Sequence, residues 1–315
     1  MLKTLSKIIL VFCFATGAAA CGVAYYTHAN PLDFFHPQPP PAQNKKIELK
    51  IDSACHYFQD GRDVGCLDAS GRPFGTWNAT KDLTSEKFFN FPDLKPGDSG
   101  EDTISIHLSG DDACGRIEIN NLKDFGNTCT EPETHTNDPD CKGKTPGTKE
   151  PNGELRENLE YFAWVDQGRT PGFQGASDPG EGDNIFNEKD FKIFDWQTFK
   201  DCPKAIALKN QMQKDRDFFK KQCDNADPDG QGFSKNKDKS CQGIPRDGHL
   251  MKDVTYYIGL SWRLPASVGN EVQSDGISFD VKFIGGAKEQ CGDHEYSCGQ
   301  CKDGCDECDN KQCPR

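Results

Sequence analysis

The stretch Leu94-Lys-Pro-Gly-Asp-Ser-Gly-Glu-Asp-Thr-Ile-Ser-Ile-His-Leu108 decides the fold class. Pro96 fixes its own φ, and Gly97 and Gly100 permit turn geometry, so the first half reads as a turn. Beyond it Ile104, Ile106 and Leu108 fall on one side of an extended chain, with Thr103, Ser105 and His107 on the other. That is a half-buried strand entering an antiparallel sheet.

The same alternation recurs outward in both directions. Ile47, Leu49 and Ile51 alternate with Glu48, Lys50 and Asp52. Phe88 to Phe91 lead into the central turn, and Gly115 to Ile119 form a short strand with Ile117 and Ile119 inward. Tyr161 to Val165 make an aromatic strand. Tyr256, Ile258, Leu260, Trp262 and Leu264 share one face, as do Ile277, Phe279, Val281 and Phe283. Many short strands with long connections predict a mainly β chain, a jelly-roll β-sandwich over 47–285. Within it Pro203 to Gln222 predicts one amphipathic helix, with Leu208, Met212 and Phe219 at helical spacing, as an insertion over about 201–225. Gly153 to Leu159 is expected to add one or two helical turns.

The chain has 315 residues, 34% of them hydrophobic, and a formal net charge of -13. Its length suffices for a sizeable core, and its acidity disfavours nucleic acid and anionic membranes as partners. The first 24 residues read as an export signal: Lys3 and Lys7, the apolar run Ile8 to Phe14, then small residues up to a cut after Ala24. A lipid-modified Cys21 is the alternative, with Ala18 where a larger aliphatic residue is usual. No membrane association is expected after cleavage, and the mature chain is expected outside the cell or on its surface. Of 16 cysteines, 14 follow the proposed cut, which predicts disulfides in an oxidising compartment. One is expected to pin the long polar stretch Asn120 to Gly153, which holds Cys129 and Cys141.

Residues 25–46 form an N-terminal arm. Its prolines from Pro37 to Pro41 favour an extended spacer, and ahead of them Leu32, Phe34 and Phe35 make a short apolar segment that either folds back or docks on another chain. Residues 286–315 form a cysteine-rich tail with Cys291, Cys298, Cys301, Cys305, Cys308 and Cys313. Its two Cys-x-x-Cys pairs suit zinc in a reducing compartment, whereas in an exported segment without a core three disulfides are the expected reading.

Gly97-Asp98-Ser99-Gly100 matches the nucleophile loop of trypsin-like proteases, but none of His28, His36 and His56 stands in the small-residue setting that a base requires. The turn reading is preferred. No His-Glu-x-x-His helix occurs, so no catalytic residues are assigned and no enzyme is expected. For calcium, the acidic candidates are Asp227 and Asp229 beside Gly230, and Asp183 between Glu181 and Asn184, with plain solvated loops as the alternative. No other cofactor is expected. Asn78-Ala79-Thr80 is a glycosylation sequon whose use depends on the host.

Five segments carry a family resemblance: FNFPDLKPGDSGEDTISIHL, NTCTEPE, GELRENLEYFAWVD, GDNIFN and YYIGLSWRLPASVGNEVQSDGISFDVKF. Their order resembles that of exported TasA/camelysin-like proteins over Ile47 to Phe283. The resemblance implies processing by a SipW-type signal peptidase and a jelly-roll subunit of extracellular biofilm-matrix fibres, whose partner is a further copy of itself. It also implies an N-terminal arm donated as a strand to the neighbour. Part of the family is described as metallopeptidase, which leaves that activity, or a monomeric surface adhesin, as the alternatives. The chain departs from the pattern in the prolines of the arm, in the helical insertion with its cysteines and in the cysteine-rich tail.

Overall fold

The computed structural model describes residues 47–79, 87–200, 206–224 and 240–287. The signal, the arm with Leu32, Phe34 and Phe35, the tail cysteines, Asp227 and Asp229 lie outside the described residues. In chain order the strands are β1 (Glu48–Gln59), β2 (Arg62–Asp63), β3 (Phe89–Phe91), β4 (Ser99–Ser109), β5 (Ala113–Phe125), β6 (Glu160–Val165), β7 (Phe191–Thr198), β8 (Ile206–Ala207), β9 (Thr255–Arg263) and β10 (Gly276–Ala287). They form a six-stranded sheet, β2-β1-β4-β9-β6-β7, and a four-stranded sheet, β3-β10-β5-β8. Every pairing between them is antiparallel. The chain is mainly β, as the alternating pattern predicts.

Aromatic rings hold the sheets together. Trp262, on β9, meets Phe91 at 4.6 Å, Tyr57 at 5.6 Å and Phe89 at 5.9 Å between ring centroids. Phe89 in turn stacks on Phe279 at 4.3 Å. Tyr57 and Trp262 come from the six-stranded sheet, and Phe89, Phe91 and Phe279 from the four-stranded one. The core is thus one cluster shared by both layers.

The central turn forms as read. Gly97 sits at φ +97°, and the buried Asp98 accepts from the Lys95 N–H at 2.8 Å and from the Tyr57 hydroxyl at 2.6 Å. Ser99 begins β4, while His56 is held by Asp63 at 2.8 Å. Gly100, however, is a strand residue and no part of the turn: it faces Trp262 across the ladder, where a Cβ would overlap the indole and lie 2.5 Å from the His56 carbonyl. A missing side chain there makes room for the largest ring of the core. The inward face of β4 also carries Asp102, fully buried between Cys55 and Leu260, with neither carboxyl oxygen hydrogen-bonded.

The predicted helix is present from Leu208 on, as α2 (Leu208–Phe218) and α3 (Lys220–Cys223), burying Leu208, Met212 and Phe219 and resting on β5 and β7. It starts later than read, because Ile206 and Ala207 pair with β5 as β8. A single turn, α1 (Leu155–Asn158), precedes β6 as expected. Three disulfides join Cys55 to Cys66, Cys129 to Cys141 and Cys223 to Cys241, and Cys114 is also disulfide-bonded. Cys129–Cys141 pins the polar stretch as predicted, although β5 runs on to Phe125 and shortens it. Among the described residues no helix is long and apolar enough to cross a membrane.

Candidate assembly edge and metal centre

Two strands meet at one flank of the domain with part of their length paired on one side only. Beyond Phe279, β10 pairs with β5 and, among the described residues, with nothing on its other side. Among the described residues the first part of β1, Glu48 to Lys50, pairs with β4 alone. Farther along, β1 is covered by a bridge from Ser53 to Trp77 and by β2. A Cβ on Gly285 would lie 3.7 Å from Ile47 and 3.9 Å from Leu49, so these two stretches are neighbours. Ile47, Leu49, Val281 and Phe283 are half-buried there against the core. Unpaired N–H and C=O groups beside an apolar lining are what an added strand requires. The arm joins the chain immediately before Ile47, and the tail follows Ala287.

The loop pinned by Cys129–Cys141 builds a second feature. Oxygens of Asp138, Glu150 and Glu154 all lie within 4.8 Å of one another, and Glu133 borders Glu150. Glu133, Asp138 and Glu150 are each 1% exposed or less. Asp138 Oδ1 accepts from the Asp140 and Cys141 N–H groups at 2.6 and 2.8 Å, leaving Oδ2 without a donor. Neither oxygen of Glu150 has a hydrogen-bond partner, nor do Glu133 Oε1 and Glu154 Oε2. Asp275, also fully buried, accepts from the Glu154 N–H at 2.8 Å and keeps Oδ1 unpartnered.

Glycines admit these groups. A Cβ on Gly126 would overlap the Glu150 side chain, and one on Gly153 would lie 2.6 Å from Asp124 Oδ1. Burial, then the charges of Asp138 and Glu133, pushes Glu150 up from 4.5 to about 8. Burial raises Glu154 and Asp275 as well, each with further carboxylates adding to the shift. Cys141 Sγ is near, but it is spent in a disulfide and offers no thiolate.

Asp183, the sequence candidate that can be located, sits differently. It is exposed and its Oδ1 accepts from the Ile185 N–H at 2.9 Å. Glu181 uses both oxygens on the Gln174 and Gly175 N–H groups at 2.8 and 3.0 Å. The structure instead gathers Asp138, Glu150 and Glu154, a set with no histidine and no shared sequence motif. Their only local sign is the spacing of Glu150 and Glu154 around Gly153, inside a stretch read as a polar connection.

A third feature lies on the outer face of the six-stranded sheet. Phe162 stacks between Trp164 at 5.1 Å and Trp196 at 5.5 Å, and Arg263 covers Trp196 at 4.2 Å. With Phe186, Asn184, Lys192 and Asp195 these rings line a cleft of about 460 Å³.

No family model and no curated protein matches the chain.

Proposed function

We propose that the chain is a secreted structural subunit of extracellular biofilm-matrix fibres, trimmed by a SipW-type signal peptidase and assembled through its N-terminal arm. The observation that carries this reading is the flank where, among the described residues, parts of β1 and β10 are paired on one side only, and Ile47 at its start directly follows the arm in the sequence. The order of the segments that resemble the TasA/camelysin family supports it, and the disulfides are consistent with an oxidising exterior. In this reading Leu32 to Phe35 of one subunit adds a strand to the next. The prolines on either side keep that strand short. Burying one phenylalanine ring contributes about 1.5–3 kcal/mol at each joint.

Deleting Tyr25 to Pro41 from the mature chain is expected to leave a folded, disulfide-bonded domain, because every described strand starts later, and to abolish fibres seen by electron microscopy. Fibres formed as readily by the truncated chain would refute arm donation.

The aromatic cleft favours a second reading, a monomeric surface adhesin that holds an apolar or ring-shaped ligand against the exposed parts of Trp196 and Phe186. Trp196 is 37% and Phe186 41% exposed, so both rings offer surface to a ligand even though Phe162 and Arg263 pack against Trp196. On this reading the wild type stays monomeric and Trp196→Ala reduces its surface adhesion, both measured on the same preparations.

A further inference from the structure

We propose that Asp138, Glu150 and Glu154 form a structural calcium site that fastens the disulfide-pinned loop to the end of the sandwich. The inference is independent of the fibre reading.

Folding has buried Glu133, Asp138 and Glu150 almost completely, and each retains at least one oxygen that no N–H or O–H group reaches. Among the described residues none of them, nor Glu154, takes part in an ion pair with Lys, Arg or His. Buried polar groups are almost always satisfied, and buried carboxylates without a countercharge are costly. Here Asp138, Glu150 and Glu154 converge, one oxygen of each lying within 4.8 Å of the others, a spacing suited to ligands around one ion. The neighbouring acids also accept hydrogen bonds, and Asp124 and Asp275, like Asp138, each keep one oxygen unpartnered. Asp124 and Asp275 accept from the Arg156 and Glu154 N–H groups, and Asp140 accepts from the Asn152 amide, all at 2.8 Å. What sets Asp138, Glu150 and Glu154 apart is that their oxygens approach one another.

The donor chemistry selects the cation. Only oxygens are offered, with no imidazole and no free thiolate, which favours a hard ion over zinc. Asp138 Oδ2, both Glu150 oxygens and Glu154 Oε2 supply four of the six to eight oxygens that calcium takes, a bidentate glutamate among them. Magnesium, which keeps most of its water and demands near-ideal octahedral geometry, suits a buried carboxylate cage less well.

The mature chain, stripped with a chelator and dialysed, is titrated with calcium chloride by calorimetry, and its thermal unfolding is followed with and without the ion. A calcium site removed by Glu150→Gln is expected, together with a calcium-dependent rise in Tm. Glu150→Gln and Asp138→Asn should each weaken that site at least tenfold and remove the rise. Without calcium, Glu150→Gln should melt no lower than the wild type, since it removes a buried carboxyl that has no countercharge beside Asp138 and Glu133. Absence of calcium binding in the wild type, preference for zinc, or full binding by both variants would overturn the proposal. Should a variant fail to fold, amide hydrogen exchange of the wild type decides: calcium-induced protection centred on 127–154 supports the site, and protection elsewhere or nowhere refutes it.

Discussion

Trp262→Ala is expected to lower the unfolding free energy by about 3–5 kcal/mol, read as a fall in the urea midpoint. The ring is 1% exposed and touches Tyr57, Phe89 and Phe91, so its removal opens a cavity where the two sheets meet. Gly100→Ala should cost about 1–3 kcal/mol or more by the opposite route, overfilling the same place. The two changes are coupled. In the Trp262→Ala background Gly100→Ala should cost distinctly less, because the indole is gone, though not nothing, because the His56 carbonyl would still be 2.5 Å from the new methyl. Equal costs in both backgrounds would show that the ring is not what excludes a side chain at this position.

The second large effect is a dependence on pH centred on Asp102. Burial, with Glu101 adding to it, raises its carboxyl well above the ordinary 3.8. The folded chain therefore holds this proton at pH values where the unfolded chain has released it. Stability from this group is greatest below 3.8 and falls as pH rises, by about 1.4 kcal/mol per pH unit, until the folded group ionises. Asp102→Asn removes the titration. Relative to the wild type, the variant should gain stability steadily from pH 4 to pH 7, measured by chemical denaturation at each pH. Asp102→Leu should gain more at neutral pH, since it also removes two buried oxygens without partners. A constant difference between wild type and Asp102→Asn over that range would mean that Asp102 is ionised in the folded chain.

Strands whose two faces see different surroundings were legible in the sequence. Tyr256, Ile258 and Trp262 alternate cleanly because one side of β9 is core, and the buried faces agree. β7 was not anticipated: Phe191 to Thr198 pairs with β6 through two irregularities in register, which break the period of two. The role of Gly100 was misread because glycine signals both a turn and a close approach, and only the partner across the ladder distinguishes them. Asp102 interrupts an otherwise apolar face, so a polar residue stood at a core position without announcing it. The acidic centre was invisible for another reason. Asp138, Glu150 and Glu154 have no periodic relation, and folding of a loop around Cys129–Cys141 brings them together.

The flank where β1 begins and β10 ends has a topological consequence. Glu48 pairs with Ser109 and Ala287 pairs with Ala113, so the first and last described strands finish against the two ends of the same short connection, Gly110 to Asp112. The domain is nearly a closed ring of chain. A short glycine-serine bridge from Ala287 to Ile47, with new ends opened at the exposed Gly143 and Lys144, should give a circular permutant that keeps every strand and every described disulfide. Such a molecule would separate what the two sheets need in order to fold from what the arm and the tail contribute.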